Sequence, residues 1–239
     1  ALRPSGSFVR PAPLLPLVPS TVHRALTRYR LARLTHLDRA TGRVIRRYER
    51  DRPGELVHVD IKKLGNIPDG GGHKVLGRPA GRRTRSGAGY SYLHTAVDDH
   101  SRLAYSEIHA DEKKETATGF WTRAQTFFAQ AGVTVERVLT DNGSCYRSRD
   151  WRDLLAAAGI AHKRTRPYRP QTNGKVERFW RTLDEDVIEG ATFDNLDHFA
   201  NELFEYLIYY NNHRPHQALA GQTPKAFAAT KTPAIQSAN

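Results

Sequence analysis

Residues 56–64, LVHVDIKKL, constrain the chain more than any other stretch. Val57, Val59 and Ile61 alternate with His58, Asp60 and Lys62, the two-residue period of a strand with one apolar and one polar face. A carboxylate in the middle of such a strand is costly unless a cation answers it. The segment therefore predicts a sheet and raises the question of what Asp60 is for.

The following segments build the rest of that sheet. SYLHTAVDD and LAYSEIHA read as two more strands joined by the turn DDHSR, and KETATGFWTRAQTFFAQAG as a helix with Phe120, Ala124, Phe127 and Phe128 inward and Gly132 as its stop. VERVLTD reads as a fourth strand, SRDWRDLLAAAG as a helix and IAHKRTRP as a short fifth strand. A further helix follows, with Val176, Phe179 or Trp180, Leu183 and Val187 at helical spacing and Thr172 and Asn173 able to cap its start. Three strands, then helix, strand, helix, strand, helix, make an α/β layout with a mixed sheet. LDHFANELFEYLIYYNN adds a helix whose stripe of Leu196, Phe199, Leu203, Tyr206 and Tyr210 suits core packing better than base stacking.

Between the first two strands lies a basic insert, residues 65–90, with eight glycines and Lys74, Arg78, Arg82, Arg83 and Arg85 against Asp69. Its composition predicts a long mobile arm, and no GK[ST] follows the glycines to make a phosphate loop. Residues 1–50 hold eleven Arg against Asp38 and Glu49, most of the chain's net charge of +12. Within them PSTVHRALTRYRLARL predicts a helix carrying Arg24, Arg28 and Arg30, either the second helix of a helix-turn-helix or an amphipathic helix on the main domain. Both readings place those arginines on DNA backbone, because charge of this size implies a polyanionic partner. No apolar run approaches 18 residues, so no membrane span is expected. The single Cys145 leaves no disulfide framework, which fits a reducing compartment. With no Met at all, the chain reads as truncated at its N-terminus or started differently. The expected organisation is a basic N-terminal segment (1–50), a core (52–189) and a C-terminal helix and tail (190–239).

The candidate chemistry lies in three acids. Glu177 sits among Lys163, Arg164, Arg166, Arg169, Lys175, Arg178 and Arg181, in the first turn of a helix and beside its buried stripe, where half-cover is expected. An acid in a phosphate-binding groove opposes binding, but it makes sense if a divalent cation stands between carboxylate and phosphate. Asp141 ends the fourth strand before the tight turn DNGS, so neighbouring first and fourth strands would bring Asp60 and Asp141 together. Plainer roles stay open: a surface ion pair for Glu177, a turn role for Asp141, and a pairing of Asp60 with Lys62 or Lys163. Asp98 and Asp99 read as turn formers, and His58, His94 and His162 as packing or hydrogen-bonding residues.

HVDIKKLG, LTDNGSCY and RPYRPQTNGKVERFW resemble the three catalytic motifs of the integrase core of bacterial insertion-sequence transposases, in the retroviral integrase superfamily. The likeness runs over residues 52–229 and takes in AVDDHSRLAYSEI, the insert IPDGGGHKVLGR and the tail YNNHRPHQALAGQTP. It implies an RNase H-like fold, a mixed five-stranded sheet flanked by helices, and DNA strand cleavage and transfer. It also implies a DDE triad of Asp60, Asp141 and Glu177 binding two Mg²⁺ or Mn²⁺, with Asp60 and Asp141 sharing one ion and Glu177 helping to hold the other. The implied partners are transposon ends, target DNA and further copies of the chain assembled on DNA, in a bacterial cytoplasm. Cys145 and Tyr146 replace an acid and Phe common in related sequences; lying outside the triad, they are expected to be neutral. Two rival readings are an inactive remnant or DNA-binding regulator, and a nuclease for RNA–DNA hybrids.

Overall fold

Strand β1 (Val57–Gly65) is the middle of a five-stranded sheet. It pairs antiparallel with β2 (Tyr90–Asp98), which pairs antiparallel with β3 (Ala104–His109) at one edge. On its other side it runs parallel to β4 (Arg137–Thr140), itself parallel to β5 (Ala161–Arg164). This computed structural model describes residues 49–70, 89–165 and 173–231, together with Thr21, Arg24 and Arg28. The chain divides into two compact units, Ala1–Tyr48 and Glu49–Asn239. In the first, the three described residues are helical and exposed. Arg30, Arg166, Arg169, Thr172 and residues 71–88 of the glycine-rich insert lie outside the described residues.

Helices cover both faces of the sheet. α1 (Lys114–Gln130) and α2 (Arg149–Ala157) pack on the face to which β1 contributes Val57, Val59 and Ile61. The inward side of α1 carries Ala117, Phe120, Trp121, Ala124 and Phe128, and Gly132, at φ 76°, ends the helix as its sequence predicts. Ser148 caps α2, its hydroxyl accepting from Trp151 N at 3.2 Å, and this sets Trp151 and Leu155 into the same core. Gly54 (φ 80°) anchors the entry to β1: a Cβ there would meet Thr134 O at 2.0 Å, and its N–H donates to Asp98 Oδ1 at 2.8 Å.

The opposite face receives α3 (Gly174–Leu183), prolonged by a wider π turn over Asp184–Ile188, and α4 (Leu196–Asn212); α5 (Pro224–Lys231) follows in the chain and gives Ala228 to the first core. Val176, Phe179 and Leu183 of α3 join Leu203, Tyr206 and Tyr210 of α4 on Leu93, Val97 and Ala104. The aromatic stripe of α4 is thus core, as expected. Among the described residues no helix is long and apolar enough to cross a membrane.

Candidate active site

Three elements bring the three predicted acids to one end of the sheet. β1 and β4 are parallel neighbours, with Val57 opposite Val138 and His58 opposite Leu139. Continuing that register sets Asp60 beside Asp141, where the ladder stops and the strands part. Asp141 Oδ1 accepts from Gly143 N at 2.9 Å, so Asp141 does shape its turn as well as face the site. Glu177 stands in the first turn of α3. It is exposed rather than half-covered, because it flanks the helix on the side away from Val176 and Phe179.

Electrostatics tie the three together. Burial pushes the Asp60 carboxyl up to about 6, and the negative charges of Asp141 and Glu177 push it the same way, against hydrogen bonds from Ile61 N (2.8 Å) and Asn173 Nδ2 (2.8 Å). Neither lysine considered as a partner answers this charge in the manner expected of an ion pair: Lys62 Nζ pairs instead with Asp184 Oδ2 at 2.6 Å, and Lys163 is exposed on the edge strand β5. Among the described residues no three acidic, histidine or cysteine side chains are already closed into a metal-holding cluster. The donor set nevertheless fits a hard divalent cation: oxygen ligands only, with Asp141 and Glu177 near enough to Asp60 to raise its proton affinity in the absence of positive charge.

Behind the acids lies a buried polar chain that the sequence did not reveal. His58 Nδ1 faces Asn173 Oδ1 at 3.0 Å, and His58 Nε2 faces Asp99 Oδ1 at 2.9 Å. Asp99 Oδ2 accepts from Arg50 N at 2.8 Å, and Lys175 Nζ lies 3.9 Å from Asp99 Oδ1. Burial raises the Asp99 carboxyl, but the His58 bond, the Lys175 charge and the Arg50 amide outweigh it and hold the group below its ordinary value. The paired reading of Asp98 and Asp99 as turn formers divides here. Asp98 serves the turn, accepting from Ser101 N and Oγ at 2.7 Å each, whereas Asp99 reaches across to β1. The capping role expected of Asn173 is also corrected. It occupies the N-cap of α3, but its side chain makes no capping bond and turns to His58 and Asp60 instead.

The basic residues separate by exposure. Lys163, Arg164 and Arg178 are exposed; Arg181 is exposed and pairs with Glu185 at 2.9 Å. Lys175 is half-buried between Glu49 (3.6 Å) and Asp99, and burial, with the Arg102 charge, lowers its ammonium pKa. Tyr146 and Cys145 are buried beside Asp141; burial pushes the Cys145 thiol up to about 11.

A mixed five-stranded sheet with helices on both faces and acids gathered where β1 and β4 part is an RNase H-like α/β fold. Residues 50–170 match the integrase core domain family, as do residues 158–224 through a second description of that domain, and the chain belongs to this family. It is 27% identical over 149 residues to the putative integrase ORF3 of Spiroplasma virus SpV1-C74, covering 57% of this chain and 41% of that protein. It is 35% identical over 89 residues to transposase InsD of insertion element IS2 from Escherichia coli, covering 37% of this chain and 30% of the relative. The chain thus spans less than half the length of these relatives. In fold it is similar to a simian T-cell lymphotropic virus intasome structure solved with the PP2A regulatory subunit B56 gamma, at TM-score 0.55 and 16% identity, over 92% of this chain and 74% of that one.

Proposed function

We propose that this chain is the catalytic portion of a DNA transposase that cleaves and joins DNA strands with divalent cations held by Asp60, Asp141 and Glu177. The observation that carries the reading is the gathering of three acids from β1, β4 and α3, in which mutual repulsion helps raise the Asp60 carboxyl to about 6. A fold has no structural use for such repulsion, whereas Mg²⁺ or Mn²⁺ would relieve it. When bound, a pair of such ions offsets charge on the scissile phosphate and lowers the pKa of water. The protein's own contribution is orientation. Asp60 is fixed at both oxygens by Ile61 N and Asn173 Nδ2, and Asp141 by its own turn.

DNA is held by charge. Lys163 and Arg164 are exposed on β5, beside the strand that ends at Asp141, Arg178 and Arg181 are exposed on the helix that carries Glu177, and Arg24 and Arg28 are exposed on the N-terminal helix. These cations suit phosphate oxygens, giving affinity without sequence reading; with Arg30, Arg166, Arg169 and Lys175 they form the proposed DNA-binding set. Transposon ends and target DNA are the substrates, and the names of the relatives, a transposase and an integrase, support that choice. Assembly of several copies on paired ends belongs to the same proposal.

The test is to incubate the protein with a labelled DNA end and Mn²⁺, with and without target plasmid. Cleavage and joining are expected, and Asp60→Asn or Asp141→Asn should abolish both while leaving DNA affinity unchanged or raised. Near-normal joining by either variant would remove the metal-ligand role. Tight DNA binding by the wild type without any cleavage would favour the regulator reading.

A further inference from the structure

Asn173 occupies a position where its residue type normally serves the helix. An N-cap Asn stabilises a helix when its side chain accepts from the first turn. Here that bond is not made, and the side chain is buried at 3% exposure against the sheet. Its amide is used at both ends: Nδ2 donates to Asp60 Oδ2 at 2.8 Å, and Oδ1 faces His58 Nδ1 at 3.0 Å. The far side of the His58 ring is held by Asp99, itself fixed by the Arg50 amide. One hydrogen-bonded chain therefore runs from the β2–β3 turn, through β1, to the first residue before α3.

The position of Glu177 follows from that chain. Glu177 lies four residues after Asn173, one helical turn along the same side of α3. Pinning Asn173 to Asp60 fixes the height and rotation of this turn over β1, and the contacts of Lys175 with Glu49 and Asp99 hold the intervening residue. The Glu177 carboxylate makes no hydrogen bond or ion pair among the described residues, so its placement depends on the turn that carries it. Buried, fully partnered polar chains are direction-specific in a way that apolar packing is not.

We propose that Asn173, oriented by His58 and Asp99, is a positioning residue that couples the start of α3 to Asp60 and so delivers Glu177 to the site. The inference rests on the metal-dependent reading above. It is tested on the full chain by calorimetric Mn²⁺ titration, by single-turnover cleavage of a labelled end at saturating DNA, and by thermal melting in EDTA. Asn173→Ser supplies a good capping hydroxyl that is too short to span His58 and Asp60. It should keep the EDTA melting temperature, bind DNA normally, and lose about 10- to 100-fold in Mn²⁺ affinity and cleavage rate. Asn173→Ala should show the same chemical loss with some loss of stability, and adding His58→Ala to it should cost little more, because both act through one chain. Phe179→Leu, a packing change on the same helix, should lower the melting temperature while keeping Mn²⁺ affinity. Wild-type Mn²⁺ affinity and cleavage in Asn173→Ser would overturn the inference, as would equal loss of Mn²⁺ affinity in Phe179→Leu. If instead Asp60→Asn still cleaves, or the wild type binds no Mn²⁺, the functional reading fails first and this inference with it.

Discussion

The two faces of the sheet are held by different physics. On the α1/α2 face, β1 presents Val57, Val59 and Ile61 to a packed set of rings, with Trp121 and Trp151 centroids 6.1 Å apart and Tyr146 and Trp151 4.8 Å apart. On the α3/α4 face the same strand gives the apolar core only Leu64, and His58, Asp60 and Lys62 bond to Asn173 and Asp184. Neighbouring contacts there are directional too: Trp180 Nε1 donates to Thr95 Oγ1 at 3.0 Å, and Asn211 bonds both N and O of Ala104. Close-packed rings make a stiff support, whereas hydrogen bonds fix register. The α1/α2 face is the stiff support of the sheet, and on the other face hydrogen bonds act beside apolar packing to hold α3 on β1.

Removing a ring from the apolar face should therefore have the largest effect on stability. Trp151 is fully buried at 0% exposure. Trp151→Ala is expected to cost about 3–5 kcal/mol in urea unfolding, from lost transfer energy plus an unfilled cavity. A loss below about 1 kcal/mol would mean that this face is not the stiff one.

On the polar face the expected losses are smaller and trace to single bonds. Asn211→Ala strands the N–H and C=O of Ala104 at the sheet edge, at a cost of about 1–3 kcal/mol. Hydrogen exchange at Ala104 N–H should accelerate with it. Unchanged exchange would show that water or a neighbour already satisfies that edge.

The Asp60 carboxyl works in the opposite direction. Held up at about 6 against an ordinary value near 4, it makes the native chain bind more protons than the unfolded one between those pH values. Stability from this group is present at low pH and lost as pH rises through that window. In EDTA, Asp60→Asn should thus raise stability at pH 7 by about 1–2 kcal/mol and leave it nearly unchanged at pH 4. A variant equally stabilised at both pH values would contradict the electrostatic origin of the shift. Excess Mg²⁺ should narrow the difference at pH 7, since a cation answers the same charge.

The contrast between the faces also explains what the sequence disclosed. Val57/Val59/Ile61 and Phe120/Ala124/Phe128 announce themselves by period, because burial on one side repeats with the geometry of strand and helix. Asp60, Asp141 and Glu177 were legible as candidate partners through a mid-strand acid, a strand-end acid and a helix start, and as a triad only through the resemblance of their motifs. Asn173 and Asp99 were not. Short polar side chains serve caps, turns and distant partners equally well, and only the three-dimensional register of α3 and the β2–β3 turn on β1 selects among these. His58 gave one usable signal, since it shares the Asp60 face of the strand and must find a polar partner if that face is covered.

The smallest expected effect on stability separates binding from architecture within α3. Lys175 and Arg178 both read as phosphate contacts, yet Lys175 is half-buried between two acids while Arg178 is exposed, its guanidinium without an ion pair among the described residues. Arg178→Ala should leave the melting temperature within the range of an ordinary surface change, about 0.5 kcal/mol. It should still weaken DNA binding uniformly across sequences and reduce the salt slope by about one, the signature of one lost phosphate contact. Lys175→Ala, by contrast, removes a cation from beside the buried Asp99 and should lower stability as well as affinity. Filter binding across a salt series, read beside thermal melts of both variants, decides the matter. An unchanged slope in Arg178→Ala would place DNA elsewhere than over the exposed side of α3, while an unchanged melt in Lys175→Ala would show that the Asp99–His58 chain stands without its ammonium.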